Sequence, residues 1–300
     1  MFVDAIEKVS AFTRPIMFIT RKYNSDNIVP GLGTLFFVND KGVAVTCKHV
    51  AALILEADKI NHRYSDFKKE RDALNASNKQ AYAKGLKLLE KKYGLSNTVP
   101  ANSKVNFIDV PKPFGAFTVR MHPKYDLAVI EFKGFTELHY DASNIYLLKD
   151  SSKVKQGKSL CRLGYPFPEF SNYVYDREKD DILFTKDHAA VPRFPIDGIV
   201  TRHIVSREEK EAKIFGIEMS TPGLRGQSGG PLFDRDGVIY GMQFATQHLH
   251  LGFDMENRQM TINGKTKIIN NQPFLHVGQC LHIDIIKEFL DSLGIEYKVK

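Results

Sequence analysis

The stretch Gly226-Gln227-Ser228-Gly229-Gly230-Pro231-Leu232 is the most informative part of the sequence. It places one serine among three glycines, so the hydroxyl group can stand clear of neighbouring side chains. Glycine permits sharp backbone turns in which consecutive N–H groups face a substrate carbonyl. Alone, the stretch is equally compatible with a tight structural turn, and its interpretation therefore depends on the rest of the chain.

Two upstream residues supply what a nucleophilic serine needs. A serine hydroxyl is a weak nucleophile until a base, usually histidine, takes its proton, and a carboxylate commonly orients that base. His49 follows an apolar strand-like stretch, and Asp126 directly precedes another one at residues 127–132. Taken singly, His49 fits a core histidine and Asp126 fits a strand cap. Their joint occurrence with Ser228 favours a catalytic set.

Together these stretches resemble the chymotrypsin/trypsin-like serine peptidases and, within them, the bacterial HtrA-like branch. The family patterns are G-T-x-F, T-x-x-H-V, D-L-A-V and G-x-S-G-G-P-L. They occur here in the family's order, at residues 33–36, 46–50, 126–129 and 226–232. The resemblance covers most of residues 31–293 apart from insertions.

The resemblance implies a role for each matching residue. Ser228 is the expected nucleophile, His49 the general base and then general acid, and Asp126 the group that orients the histidine. The backbone N–H groups of Gly226 and Ser228 are expected to form the oxyanion hole. The strand Phe244-Ala245-Thr246 is expected to pair with the substrate backbone. No cofactor and no metal are expected.

The sequence departs from the family pattern at three places. Gln227 replaces the aspartate that pairs with a newly freed N-terminus in zymogen-activated members, so we expect no activation by N-terminal cleavage. The floor of the specificity pocket falls at Pro222, six residues before the serine, which does not support a preference for Arg or Lys. No PDZ module is expected after the C-terminal helix.

The implied fold is dominated by β-structure. It consists of two antiparallel six-stranded β-barrels of the chymotrypsin type, with a helical insertion and a C-terminal helix. We expect a single trypsin-like peptidase unit over residues 1–300. Its N-terminal barrel lies in residues 12–135, its C-terminal barrel in 136–283 and its closing helix in 284–294.

Local patterns predict many of the elements. Apolar, β-branched stretches bounded by turn residues predict strands at 34–38, 42–46, 127–132, 159–163, 231–233 and 238–244. A further hairpin is predicted around Asn263-Gly264, between residues 260–262 and 266–269. Residues 166–195, rich in Pro, Asp and aromatic side chains, predict long loops. Asp284 is the predicted N-cap of the last helix and Gly294 its stop.

A basic insertion separates His49 from Asp126. Residues 65–93 predict helix, with Tyr82, Leu86, Leu89 and Tyr93 on one face. Residues 59–93 contain ten basic and four acidic residues, a net charge of +6. One interpretation is a solvated helical hairpin that covers the barrel. The other is a docking surface for an acidic partner or a nucleic acid.

Composition excludes several classes of protein. The chain has 300 residues and a net charge of +7, with 43% hydrophobic and 26% charged residues, as in ordinary globular proteins. Three cysteines without a C-x-x-C pair speak against a disulfide framework or a structural zinc site. Neither a signal peptide nor a membrane span is indicated. We therefore expect a cytoplasmic protein with a polypeptide substrate and no membrane partner.

Three alternatives remain open. The glycine–serine stretch also matches the nucleophile elbow of α/β-hydrolases, with Asp254 and His276 as downstream partners, although the short strands before it disfavour that fold. His248 and His250 alternate along a strand, which permits a metal pair but offers no third ligand. The module is also compatible with catalytic silence or gating by a partner, acting in peptide or nucleic-acid binding.

Overall fold

The computed structural model describes residues 1–75, 77–185, 191–206, 212–262 and 265–300. The helices in these ranges are α1 (Val3–Ser10), α2 (Lys48–Asp72), α3 (Lys79–Tyr93) and α4 (Ile283–Ser292). None of them combines the length and the apolar character needed to cross a bilayer.

The first six strands belong to the N-terminal half of the chain. They are β1 (Thr13–Lys22), β2 (Ile28–Phe37), β3 (Val43–Thr46), β4 (Pro100–Phe107), β5 (Ala116–Met121) and β6 (Ala128–Lys133). They form one antiparallel sheet in the order β4-β1-β2-β3-β6-β5. The four residues of β3 are all buried, as expected for an apolar strand in the middle of this sheet.

The remaining strands follow in the C-terminal half. They are β7 (Ser159–Gly164), β8 (Tyr173–Asp176), β9 (Asp181–Phe184), β10 (Phe194–Ser206), β11 (Lys213–Met219), β12 (Pro231–Phe233), β13 (Ile239–His250), β14 (Met255–Ile262), β15 (Lys265–Asn271) and β16 (Phe274–His282). Six of them close a ring in the order β10-β11-β16-β13-β12-β7. One hydrophobic core, which includes Leu35 and Val45 of the first sheet and Leu163 and Leu232 of the ring, joins the two halves.

The prediction of two closed six-stranded barrels is confirmed only in part, because the first sheet stays open. Helix α2 covers the edge strand β4. The side-chain amide of Asn61 donates to the carbonyl oxygen of Ser103 at 2.6 Å and accepts from the Ser103 N–H at 3.0 Å. A side chain therefore satisfies the backbone groups that a neighbouring strand would otherwise bond.

The strand predictions are otherwise confirmed. Each of the six predicted strands overlaps an observed one, and β14 and β15 flank the predicted hairpin. Its turn, Asn263-Gly264, lies outside the described residues. Helix α1 was not predicted from the sequence. The predicted cap of the last helix is wrong, because His282 is the N-cap and accepts from the Asp284 N–H at 3.3 Å.

The insertion is a helical hairpin, but its first helix begins far upstream of the predicted start at residue 65. Helix α2 begins at Lys48, because Val50, Ala51, Ile54 and Ala57 bury one helical face against the sheet. A break separates α2 from α3. Three residues of the predicted stripe on α3, at positions 86, 89 and 93, pack on an aromatic cluster with Tyr23, Tyr64 and Phe67 at its centre.

The prediction of long loops over residues 166–195 is wrong in its middle part, which holds the hairpin of β8 and β9. Asp180, at the turn of this hairpin, fixes it to the rest of the chain. Its carboxylate accepts from Arg21 at 2.7 Å, from Tyr64 at 2.7 Å, from Tyr175 at 2.8 Å and from Arg71 at 3.0 Å. These bonds join the hairpin to both β1 and the insertion helix.

Candidate active site

His49 lies in the first turn of α2, directly after strand β3. Cys47 is the N-cap residue and has an extended backbone, so the chain changes from strand to helix within two residues of the histidine. The His49 side chain is 49% exposed, which leaves its ring accessible to a substrate.

Asp126 holds this histidine by two hydrogen bonds. Oδ1 accepts from the His49 backbone N–H at 2.9 Å, and Oδ2 bonds to Nδ1 of the ring at 2.7 Å. With Nδ1–H donating to the carboxylate, the lone pair lies on Nε2, as a general base requires. The structure brings these two residues together, and the catalytic roles expected of them stay predictions.

The Asp126 carboxylate also caps helix α2. The side chain of Cys47 makes no cap hydrogen bond, and the carboxylate accepts from free N–H groups of the first turn in its place. Burial opposes ionisation of Asp126, but the hydrogen bonds from His49 outweigh it and lower the pKa of the carboxyl below its ordinary value. One charge therefore stabilises the helix start and orients the histidine.

Ser228 lies in the loop between β11 and β12, whose path requires glycine at two positions. Gly226 has a φ of +93° and Gly229 a φ of +88°. A Cβ atom at Gly226 would lie 2.3 Å from the carbonyl oxygen of Tyr165, and one at Gly229 would lie 2.0 Å from that of Thr34. Backbone conformation and space both exclude a side chain here.

Thr34 joins this loop to the N-terminal sheet. Its N–H donates to the carbonyl oxygen of Ser228 at 3.0 Å. Its hydroxyl donates to the carbonyl oxygen of Gly226 at 2.7 Å and accepts from the Tyr165 N–H at 3.3 Å. Its own carbonyl accepts from the Thr46 hydroxyl at 2.7 Å. Sequence analysis placed Thr34 in a motif but gave it no role, because its partners are distant in the chain.

The loop that carries Ser228 and the N-cap residue of α2 meet at one backbone carbonyl. The carbonyl oxygen of Gln243 accepts from the Gly229 N–H at 2.9 Å and from the Cys47 thiol at 3.3 Å. In the described part of the chain, the His49 ring bonds to the carboxylate alone and the Ser228 hydroxyl has no partner. The serine–histidine bond is thus not formed in this structure.

The turn before Ser228 leaves two backbone donors available. Across the described ranges, the N–H groups of Gly226 and Ser228 bond to no other protein group. Gln227 between them is fully buried: its N–H donates to the carbonyl oxygen of Leu224 at 3.0 Å, and its Oε1 accepts from the Leu224 N–H at 3.1 Å. Its Nε2 donates to the carbonyl oxygen of Phe194 at 3.1 Å. An internal amide thus anchors the turn.

The predicted substrate-facing residues are brought together. Phe244, Ala245 and Thr246 lie on β13, next to β16, and all three are partly exposed. The Thr246 hydroxyl donates at 2.7 Å to the carbonyl oxygen of Gly223, which follows Pro222. These contacts border one side of the Ser228 loop, and binding of a substrate there stays a prediction.

The alternative sites differ from this arrangement. His248 bonds through Nδ1 to Nδ1 of His276 at 2.5 Å, and His250 bonds through Nε2 to Asp254 at 2.7 Å. His276 and Asp254 thus pair with other residues than Ser228. The antiparallel pairing between the described strands also excludes an α/β-hydrolase fold.

One group of side chains has metal-ligand spacing among the described residues. The ligand atoms of Cys47, His49 and Asp126 lie within 4.8 Å of one another. Burial, and next the charge of Asp126, raise the pKa of the Cys47 thiol, so it stays protonated and donates to a carbonyl. A protonated thiol is a poor metal ligand. The group therefore fits a histidine–carboxylate pair better than a metal site.

The chain is similar to a known domain family and to several solved structures. A profile of the trypsin-like peptidase domain matches residues 33–242. Similar solved structures include a serine-to-alanine variant of the HtrA-type protease AlgW with decapeptide, at 13% identity and a TM-score of 0.49. The HtrA-type protease AlgW with tripeptide is similar at 14% identity and a TM-score of 0.49. They align with 98% of this chain, which spans 66% and 63% of theirs. No curated protein sequence matches. Because the profile match includes well over half of the residues, the chain belongs to the trypsin-like peptidase domain family.

Proposed function

We propose that the chain is a serine endopeptidase that cleaves peptide bonds through an acyl-enzyme intermediate. The observation that supports it is the two-point attachment of His49 to Asp126, at 2.9 and 2.7 Å, next to the glycine-bounded loop of Ser228. A structural histidine needs no such control of its tautomer, whereas a general base does.

In the proposed reaction, Ser228 Oγ attacks the substrate carbonyl carbon while Nε2 of His49 takes its proton. The carbonyl oxygen gains negative charge and is stabilised by the N–H groups of Gly226 and Ser228. Each such donor contributes about 3 kcal/mol of transition-state stabilisation. Asp126 stabilises the imidazolium, which then protonates the leaving amine. Water then attacks the acyl-enzyme while His49 takes its proton. The imidazolium returns a proton to Ser228 Oγ as the acyl group leaves.

The second candidate is a partner-gated or silent module of the same fold. It is favoured by the unformed bond between Ser228 and His49 in the described structure. In enzymes without substrate such bonds are often long and tighten only when substrate binds, so the active enzyme fits this geometry as well.

Labelling with a fluorophosphonate probe separates the two functions. The active enzyme is expected to label at one serine, identified by peptide mass mapping as Ser228. Ser228→Ala is expected to abolish labelling, whereas Ser152→Ala, at an exposed serine remote from the site, is expected to leave it unchanged. Folded wild-type protein that stays unlabelled would contradict constitutive activity. Labelling at another serine would contradict the assignment of the nucleophile.

Three further expectations remain predictions. The division into units at residues 12–135, 136–283 and 284–294 is one, and a cytoplasmic location is another. Docking of an acidic partner or a nucleic acid on residues 59–93 is the third. Several cations of that segment already have partners within the chain, as in the pairs Lys69–Asp66 and Lys92–Glu70.

A further inference from the structure

Arg162 is a fully buried cation in strand β7 whose known acceptors are all neutral. Its Nη1 donates to Oε1 of Gln243 at 2.6 Å. Its Nη2 donates to the carbonyl oxygen and to the hydroxyl of Thr221, at 2.9 and 2.5 Å. Its Nε has no partner, and no carboxylate among the described residues pairs with its guanidinium. A buried charge without an opposite charge is strongly unfavourable.

The guanidinium bonds to Thr221, near the start of the loop between β11 and β12 that carries Ser228. A Cβ atom at Gly278 would lie 2.0 Å from its Nη1, so only glycine leaves room for it there. The Gly278 N–H donates to the carbonyl oxygen of Thr221 at 2.8 Å, and Thr221 directly precedes Pro222, the predicted floor of the specificity pocket. The cation therefore lies against Thr221, next to the residue that the sequence predicts as the floor of the specificity pocket.

Gln243 connects the cation to the catalytic loop. Its backbone N–H donates to the carbonyl oxygen of Gly230 at 2.8 Å, two residues after Ser228. Its side-chain Nε2 donates to the carbonyl oxygen of Ala245 at 2.5 Å, and a Cβ atom at Gly223 would lie 2.1 Å from the same nitrogen. The side-chain amide of Gln243 thus fills the space between Gly223 and Ala245. Its Oε1 occupies the position next to Arg162 Nη1 that an oxygen of a substrate carboxylate would take.

We propose that this pocket selects an acidic residue, Asp or Glu, on the acyl side of the cleaved bond, with Arg162 as the specificity-determining residue. This inference rests on the proposed peptidase function. The incoming carboxylate takes the place of the Gln243 oxygen on Nη1, and the flexible glutamine side chain turns aside. The substrate then supplies the negative charge that the buried guanidinium lacks.

The same arrangement disfavours other side chains. A basic side chain would bring a second positive charge to a site already holding an uncompensated one. A neutral amide has the shape of the acid but leaves the cation without a counter-charge. Sites built to bond a specific polar group reject analogues that lack it, and we expect kcat/KM to fall by about 100-fold from Asp to Asn.

The first experiment compares fluorogenic peptides that differ only at this position, carrying Asp, Asn, Glu, Gln, Ala or Arg. Wild-type enzyme is expected to prefer Asp or Glu. Arg162→Gln is expected to lose the ratio between acid and amide, and Gln243→Ala, which opens the space but keeps the cation, is expected to retain or increase it. Equal cleavage of acid and amide peptides by the wild type would overturn the proposal.

A binding experiment keeps the proposal testable if Arg162→Gln does not fold or if the enzyme is silent. Peptides ending in Asp or in Asn, which mimic the acyl-side product, are titrated calorimetrically into Ser228→Ala. The acid is expected to bind at least about tenfold more tightly. Equal affinities would overturn the specificity whatever the activity. An acid preference without fluorophosphonate labelling of the wild type would instead contradict a constitutively active peptidase and leave the binding site.

Discussion

Replacing Thr34 by valine tests whether the N-terminal sheet sets the geometry of the oxyanion turn. The change removes the hydroxyl that donates to the carbonyl oxygen of Gly226 at 2.7 Å and accepts from the Tyr165 N–H at 3.3 Å. The peptide after Gly226 then loses the bond that fixes its orientation. A buried hydrogen-bonding group left unsatisfied costs about 1–3 kcal/mol. If this free energy appears in the transition state, kcat falls by about 5- to 150-fold.

The assay is steady-state cleavage of a peptide substrate, with urea unfolding of the same samples. Thr34→Ser keeps the hydroxyl and is expected to retain most of kcat. Thr13→Val is the matched control: its buried hydroxyl also donates to a carbonyl, that of Val9 at 2.8 Å, but it lies at the start of β1 and bonds to α1. It is expected to lower stability without lowering kcat. The reasoning fails if Thr34→Val loses stability as this control does and keeps the wild-type kcat.

Three further substitutions address carboxylates, the last of them as a control. Asp126→Asn is expected to lower kcat by about 10⁴-fold, because an amide nitrogen facing Nδ1 of His49 favours the wrong tautomer. Because the pKa of Asp126 is lowered in the folded protein, its carboxylate stabilises the fold at neutral pH, and this contribution is lost as the pH falls below about 4. Urea unfolding of Asp126→Asn should therefore lack this part of the pH dependence of the free energy of unfolding. Asp180→Asn leaves the buried Arg21 without its counter-charge and is expected to reduce the free energy of unfolding by about 3 kcal/mol or more, measured by urea unfolding. Asp66→Asn, at an exposed ion pair, should change it by less than about 1 kcal/mol.

The candidate triad was predictable because its chemistry demands particular residue types in a fixed order. His49, Asp126 and Ser228 each stand in a short motif that local reading detects. The Thr34 contacts were not predictable, because they link positions 131 and 192 residues apart. The same is true of Arg162, which meets Gln243 across 81 residues. A single arginine in an apolar strand gives no sign of where its guanidinium lies.

The fold shows the same limit. Alternation and turn residues located the strands of both halves, since these signals are local. The open edge of the first sheet depends on Asn61 reaching Ser103, a contact made by a helix that begins 17 residues before its predicted start at Ser65. Sequence periodicity near residue 50 was too short to separate a helix from a buried strand.

The continuity of α2 gives the molecule a mechanical property. One helix of 25 residues, about 37 Å long, carries His49 at its first turn and the basic hairpin at its far end. The Asp126 carboxylate bonds to the first turn of this helix, at the backbone N–H and the ring of His49. Because no loop separates His49 from the hairpin, a displacement of α2 would displace the imidazole as well. Deletion of the whole of α2 would therefore also remove the helical turn that carries His49.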